Sequence, residues 1–366
     1  MNSAEYNDIV AFHPGYYIAD IIDELGISQD EFAMRMGTTG KTLSKLVNGQ
    51  CNLSNDLAEK LATMLGTSVD VWLNLQMTYN QKLIEIEQQK NMDAQVRLVS
   101  MIDYNYFVKV ARLAKARSAR EKVANLCSYF KVADLQIMLQ PDFLVNFRSA
   151  VATAAEKNII NARAWVQTAI NFSKDIDVEP FDAEKLKAAL PEIRKMTLQK
   201  PDIFLPKLRE IFASCGVVFV LLPHLKNSGV NGAVKWIDSD RVVLAMNNRR
   251  CYADTFWFSL FHEIKHVLQQ KLKTVFISSD LSAMSEMDSA WEAEADKFAQ
   301  DYLIPPKDYR AFAPSQYTSD MEICLFAEKI GIHPGIVAGR LQHDKIVAPN
   351  RCSKLKTQFD LPFEYA

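Results

Sequence analysis

No apolar run in this 366-residue sequence is long enough to cross a bilayer. The longest, such as GVVFVLLP at 216–223, fall far short of the roughly 20 residues a spanning helix needs. The opening stretch MNSAEYNDIV has neither a basic segment nor an apolar one, so no secretory leader is expected and the cytoplasm is the expected compartment. CxxC pairs are missing as well. The six cysteines, at 51, 127, 215, 251, 324 and 352, are scattered, which argues against a disulfide framework or a cysteine-zinc site and for reduced thiols. A net charge of −2 excludes a globally basic nucleic-acid binder, so any such surface must be local. There is no internal repeat and no low-complexity segment. What is there is ordinary globular composition, 49% hydrophobic and 23% charged, at a length that suits two or three domains.

Residues 13–80 read as short helices between tight turns. HPGYYIADIIDELG places Ile18, Ile21, Ile22 and Leu25 on one helical face and stops at Gly26. Ser28 precedes a second helix, SQDEFAMRM, with Glu31 three residues on. After Gly37 comes a third, over 39–48, and SNDLAEKLATMLG and SVDVWLNLQ follow behind Ser54 and Ser68. Two helices, 28–36 and 39–48, joined by a glycine-containing turn make a helix-turn-helix arrangement. The second carries Thr39, Lys41, Thr42, Ser44, Lys45 and Asn48 for base edges and phosphates, with Leu43, Leu46 and Val47 to pack inward. No acidic residue lies between Gly37 and Gly49, and Gln29 opens the preceding helix within reach of the DNA backbone. A helical bundle built for protein contacts would share much of this pattern. GTTGKT at 37–42 has two residues between its glycines where a phosphate loop needs four, and a helix before it rather than a strand.

FHPGYYIADIIDELGISQDEFAMRM, TLSKLVNGQCNLSNDLAEKLATMLGTS and VWLNLQMTYN together resemble the HigA-type antitoxins of the Cro/C1-type (XRE) helix-turn-helix family, over roughly residues 10–82. The resemblance implies a homodimer that binds a palindromic double-stranded operator, represses its own promoter and often neutralises a toxin.

Residues 80–210 show helical periodicity throughout, and include the basic cluster ARLAKARSAREK. Strand signals appear only after 215, in GVVFVLLP, GAVKWI and RVVLAMNN. Then comes FWFSLFHEIKHVLQQ, where His262 and His266 stand four residues apart, on one side of a helix, and can share one zinc ion with Glu263 as general base. Leu260, Phe261, Ile264, Val267 and Leu268 form the apolar face, so the histidines point to a cleft or to solvent. A loop is expected around 271–287. In WEAEADKFAQDYL, Glu292 and Asp296 share one helical face and suit a third ligand and an acceptor that orients a ligand histidine. Glu294, beside Lys297 and Asp301 on a charged flank, is the alternative ligand.

FWFSLFHEIKH, EAEADKFAQDYLIP and IHPGIVAGRLQ resemble the ImmA/IrrE-type metallopeptidases, a zincin family, over roughly 200–345. The resemblance implies Zn2+ held by His262, His266 and Glu292, with Glu263 as the base and a regulatory protein as substrate. One departure stands out: where the family usually has a small residue, this chain has Lys265.

The expected architecture is multidomain α plus α/β. It comprises an all-α helix-turn-helix bundle over 1–82, a helical connector over 83–200, and a zincin-like α+β metallopeptidase domain over 201–366. The expected function is a DNA-binding regulator with a zinc endopeptidase acting on a regulatory or partner protein. A strand such as RVVLAMNN is expected to hold an extended peptide by edge pairing. The alternative is a non-catalytic antitoxin-like repressor whose peptidase fold serves as a sensor or toxin-binding scaffold, with Lys265 marking lost catalysis. His224, His333 and Cys251 are weaker candidates for the site, and the five tryptophans read as core.

Overall fold

A computed structural model describes residues 2–140, 156–249, 251–269, 275–279, 286–312 and 318–363. They fall into two compact units, residues 1–95 and 96–366. Among the described residues the protein is mostly helical with one small mixed sheet and one hairpin. No described helix is long and apolar enough to cross a membrane.

The first unit opens on an antiparallel hairpin of β1 (Ser3–Tyr6) and β2 (Ile9–Phe12), which corrects the all-α expectation. Asn7, between the strands, takes φ 50°, a conformation asparagine tolerates in two-residue hairpin turns. Strands of four residues are too short to announce themselves by alternation. Five helices follow: α1 (Pro14–Leu25), α2 (Gln29–Arg35), α3 (Gly40–Val47), α4 (Asn55–Leu65) and α5 (Val69–Met101). The first four start where a side chain, from His13, Ser28, Thr39 and Ser54 in turn, accepts a first-turn backbone N–H. Ile18, Phe32, Leu43, Leu46 and Leu61 are fully buried in their common core. The motif residues at both ends have local tasks. His13 caps α1, Pro14 begins it, and Trp72 enters the core while Gln76 accepts the Leu53 N–H at 2.8 Å. Gly15 is where α1 meets α3: a Cβ there would stand 2.0 Å from the Leu46 carbonyl oxygen. Gly15→Ala is therefore expected to push the two helices apart and destabilise this unit by about 1–3 kcal/mol, read as a lower melting temperature.

The long α5 runs unbroken through residue 82, and the division between units falls at Gln95/Val96. The expected connector is accordingly no separate layer. Its residues beyond 96 form α6 (Tyr104–Val110), α7 (Ala119–Phe130), α8 (Glu156–Ser173) and α9 (Ala183–Lys195), all within the second unit. Tyr106 and Trp165 both donate to the Pro223 carbonyl, at 2.9 and 3.0 Å, and Arg241 donates to the Ser173 and Ile176 carbonyls, which ties these helices to the strands beyond 215. The helical reading of 141–155 lies outside the described residues.

After α10 (Pro201–Ser214) come β3 (Val217–Leu222), β4 (Val230–Trp236) and β5 (Val242–Asn247). The helix α11 (Ala253–Leu268) and the strand β6 (Val275–Ser279) follow. The sheet order is β3-β5-β4-β6, parallel between β3 and β5 and antiparallel elsewhere. Wholly buried β3 and β5 explain the unbroken apolar runs in their sequences. β5 has neighbours on both sides, so RVVLAMNN offers no free edge to a peptide; among the described strands the edges are β3 and β6. β6 also occupies part of the expected 271–287 loop, and α12 (Glu286–Leu303) another part; 271–274 and 280–285 lie outside the described residues. α13 (Pro306–Phe312), α14 (Asp320–Ile330) and α15 (Pro334–His343) complete the unit.

Candidate metal centre and nucleic-acid interface

α11 turns Trp257, Leu260, Phe261, Ile264 and Val267 into the core of the second unit. Its histidines leave on the side toward α12. Ala295 and Ala299, fully buried on α12, present only methyl groups there and let the two helices approach closely. As a result His262 and His266 are 6% and 0% exposed, covered rather than facing solvent.

One ligand atom from each of His262, His266 and Glu292 lies within 4.8 Å of the others. The two Nε2 atoms are 3.0 Å apart, and the Glu292 carboxylate stands 3.0 Å from one and 3.4 Å from the other. Each imidazole is anchored through its far nitrogen. His262 Nδ1 meets Asp296 Oδ1 at 2.9 Å, and His266 Nδ1 meets Gln269 Oε1 at 2.9 Å. With hydrogens on both Nδ1 atoms, as those acceptors favour, both Nε2 lone pairs and a carboxylate face one point. Three electron-pair donors aimed at one another suit a cation, and two imidazoles with one carboxylate is a donor set that zinc accepts. The electrostatics favour positive charge at this point, which a proton on His262 supplies in the absence of a metal. Burial opposes a charge on His262, yet Asp296, Glu292 and Glu263 outweigh it and hold its pKa up to about 10. Burial likewise raises the Glu292 pKa, but the two histidines pull it down to about 2.

Glu263 is fully buried on α11 and bears electrostatically on His262. It fits against β4 at Gly232, where an added Cβ would stand 2.5 Å from Oε1, beside a register shift between β4 and β6. Lys265 Nζ pairs with Glu294 Oε1 at 2.9 Å and sits 5.7 Å from the Phe298 ring centroid. Glu294 thus holds Lys265 and Gln269 rather than joining the donor cluster, and those two donors keep its carboxyl below the usual range. Cys251 lies outside that cluster, beside Gln358. His333 caps α15 through Gly335 N–H, and the His224 backbone N–H bonds Asn248, both local tasks.

In the first unit α2 and α3 are joined by a turn at Gly37, with φ 65°. Leu43 and Leu46 are buried, while Thr39, Lys41, Lys45 and Asn48 are exposed and Thr42 and Ser44 half-buried. The Thr39 hydroxyl is engaged as the cap, accepting Thr42 N–H at 3.1 Å, and Asn48 donates back to the Ser44 carbonyl at 2.8 Å. Gln29 is half-buried at the start of α2, with its amide nitrogen shielded from solvent.

The helix-turn-helix family profile matches residues 18–72. The uncharacterized HTH-type transcriptional regulator YddM of Escherichia coli K12 is 37% identical over 87 residues, 24% of this chain and 90% of that protein. The chain belongs to the helix-turn-helix family. Among solved structures, an addiction module antidote protein of a HigA family from Coxiella burnetii is 27% identical, covering 23% of this chain and 92% of that one, with a TM-score of 0.22. A Pseudomonas aeruginosa protein in complex with its operator DNA is 26% identical, covering 23% and 90%, with a TM-score of 0.22. These relatives span about a quarter of this helix-turn-helix protein, so the chemistry of its second unit rests on the geometry above.

Two residues escaped the reading of the sequence. Gln269, three residues after His266, was legible as the next position on the same helical side. Gly232 was not, because nothing local says which side chain a strand glycine will face.

Proposed function

We propose that this helix-turn-helix protein is a DNA-binding transcriptional regulator whose second unit is a zinc-dependent peptidase of the ImmA/IrrE-like zincin type, acting on a regulatory or partner protein. The convergence of His262 Nε2, His266 Nε2 and Glu292 on one point, with both rings anchored from behind, carries the peptidase half. When bound by these three residues, zinc supplies Lewis-acid polarisation of the scissile carbonyl. Glu263, lodged in the recess at Gly232, takes a proton from the attacking water and delivers it to the departing amine. Asp296 and Gln269 hold the imidazoles in one tautomer and orientation. The edge strand β6, beside β4, is where an extended substrate backbone would pair. Lys265, engaged by Glu294, favours this reading over the non-catalytic alternative, which rested on that lysine obstructing the centre.

In the regulatory half, α3 enters the major groove. Lys41 and Lys45 meet phosphates, and Thr42, Ser44 and Asn48 face base edges, with Thr39 and Gln29 at the flanking backbone. A homodimer would read palindromic half-sites about 34 Å apart.

The test is a peptide-library digest by the zinc-loaded protein, followed by mass spectrometry. Glu263→Gln is expected to lower cleavage by at least about 100-fold while leaving bound zinc unchanged. Undiminished cleavage by that variant would overturn the assignment of the base. Gly232→Ala is expected to shift the Glu263 carboxylate and lower turnover by about 100-fold at constant zinc content, since a displacement near 1 Å suffices for that loss.

A further inference from the structure

The basic stretch ARLAKARSAREK, with Lys109 just before it, has no part in either site above. In the second unit it follows α6, crosses the turn beyond it and enters the first turn of α7. Lys109, Arg112, Lys115, Arg117 and Arg120 are all exposed there. Among the described residues none of the five forms an ion pair, whereas Arg97 and Lys187 elsewhere in the unit do, with Glu156 and Glu184. The stretch contains one acid, Glu121, whose carboxylate is taken up by the Arg117 backbone N–H at 2.7 Å. Five like charges on one small surface repel, and a bound polyanion relieves that repulsion.

The backbone that carries these cations is held in place. The Tyr104 hydroxyl accepts from Asn125 Nδ2 at 2.7 Å and donates to the Ala114 carbonyl at 2.6 Å, which pins the turn to α6 and α7. Leu113 N–H bonds the Phe107 carbonyl at 3.2 Å, and Lys122 Nζ lies 5.6 Å from the Tyr104 ring centroid. A surface ordered in advance loses less entropy when it binds.

Composition selects the anion. Residues 111–122 contain no aromatic side chain, so nothing there can stack on the bases of a single strand. None of the exposed large apolar residues lies between Lys109 and Lys122, so nothing there would enter a lipid layer. The one hydroxyl, of Ser118, is engaged as the cap of α7, accepting the Glu121 N–H at 3.1 Å. Guanidinium and ammonium groups alone suit phosphates along a duplex, without base readout. The helix-turn-helix of the first unit makes duplex DNA the polyanion this chain meets.

We propose that this surface of the second unit binds the phosphate backbone of duplex DNA, independently of base sequence and in addition to α3.

The test is fluorescence anisotropy of the full chain on a long duplex across a salt series. Lys115→Gln/Arg117→Gln/Arg120→Gln is expected to lower the slope of log affinity against log salt by about 3. Binding at about 0.15 M salt should weaken about 100-fold, with sequence preference and melting temperature unchanged. The same change is expected in a Lys41→Ala/Lys45→Ala background, where the phosphate contacts of α3 are gone. Lys185→Gln/Lys195→Gln/Lys354→Gln, which removes as much charge from exposed positions elsewhere in the unit, is expected to keep the parent slope. A parent slope in the first variant, or equal losses in the two second-unit variants, would overturn the proposal. So would lost binding to single-stranded RNA or phosphatidylserine vesicles with duplex binding intact. If the α3 variant binds as the parent does while the first variant is weakened, the groove assignment fails and this surface stands. A parent that binds no duplex overturns both.

Discussion

His262→Ala and Glu292→Ala are each expected to reduce bound zinc from about one ion per chain to none, measured by elemental analysis of protein purified without chelator. Each substitution deletes one of three converging donors, and two donors do not close a zinc site. Glu294→Ala is the contrasting variant. Its carboxylate holds Lys265 and Gln269, outside the donor cluster, so zinc should stay near one per chain. Asp296→Ala should keep a weaker site, with affinity lowered about 10- to 100-fold, because it removes the acceptor behind His262. The pH dependence has a definite sign. Protons compete with zinc for the lone pairs, and the metal-free pKa of His262 is held up to about 10, so at neutral pH zinc must displace a proton from it. Affinity should then fall by about tenfold per pH unit as pH drops from 8 to 6, and calorimetry in buffers of different ionisation enthalpy should register proton release. The Glu292 pKa, near 2, leaves that carboxylate ionised across this range and adds nothing to the slope. A parent protein that takes up no zinc even when it is supplied would overturn the peptidase proposal.

The second large effect concerns DNA. On a palindrome selected from a random-sequence pool, Lys41→Ala and Lys45→Ala are each expected to weaken binding to all sequences alike. Each should also lower the slope of log affinity against log salt by about 1, as loss of one phosphate contact requires. Asn48→Ala and Ser44→Ala should instead cost about 1–3 kcal/mol on the preferred sequence, relax discrimination at one position and leave the salt slope unchanged. Fluorescence anisotropy across a salt series separates the two classes. Identical behaviour of all four variants would remove α3 from the interface. Leu43 and Leu46 are poor probes, since both are buried in the core of the first unit and their loss would act through folding.

Helical starts and stops were legible because their causes are local. Ser28 and Ser54 cap helices wherever the chain places them, and Gly26 and Gly66 end helices by adopting positive φ. The hairpin at β1 and β2 was missed because four-residue strands carry too little periodicity, and the boundary at 82 because α5 passes through it without any stop signal. β5 was expected at an edge because its sequence tells only that it is apolar; its place between β3 and β4 is a matter of sheet order.

By itself the sequence determined that His262 and His266 leave one side of α11, since a spacing of four residues on any α-helix does so. It also determined the inward face of α3 and the serines, Ser28 and Ser54, that start α2 and α4. Only the tertiary structure decided which carboxylate stands opposite the histidines. Glu292 and Glu294 are two residues apart on one helix, hence on different sides, and the close packing of α11 and α12 at Ala295 and Ala299 turns Glu292 inward and leaves Glu294 to Lys265. The recess at Gly232 was decided there too. It is made of residues far apart in the chain, and local pattern carries no information about distant approach.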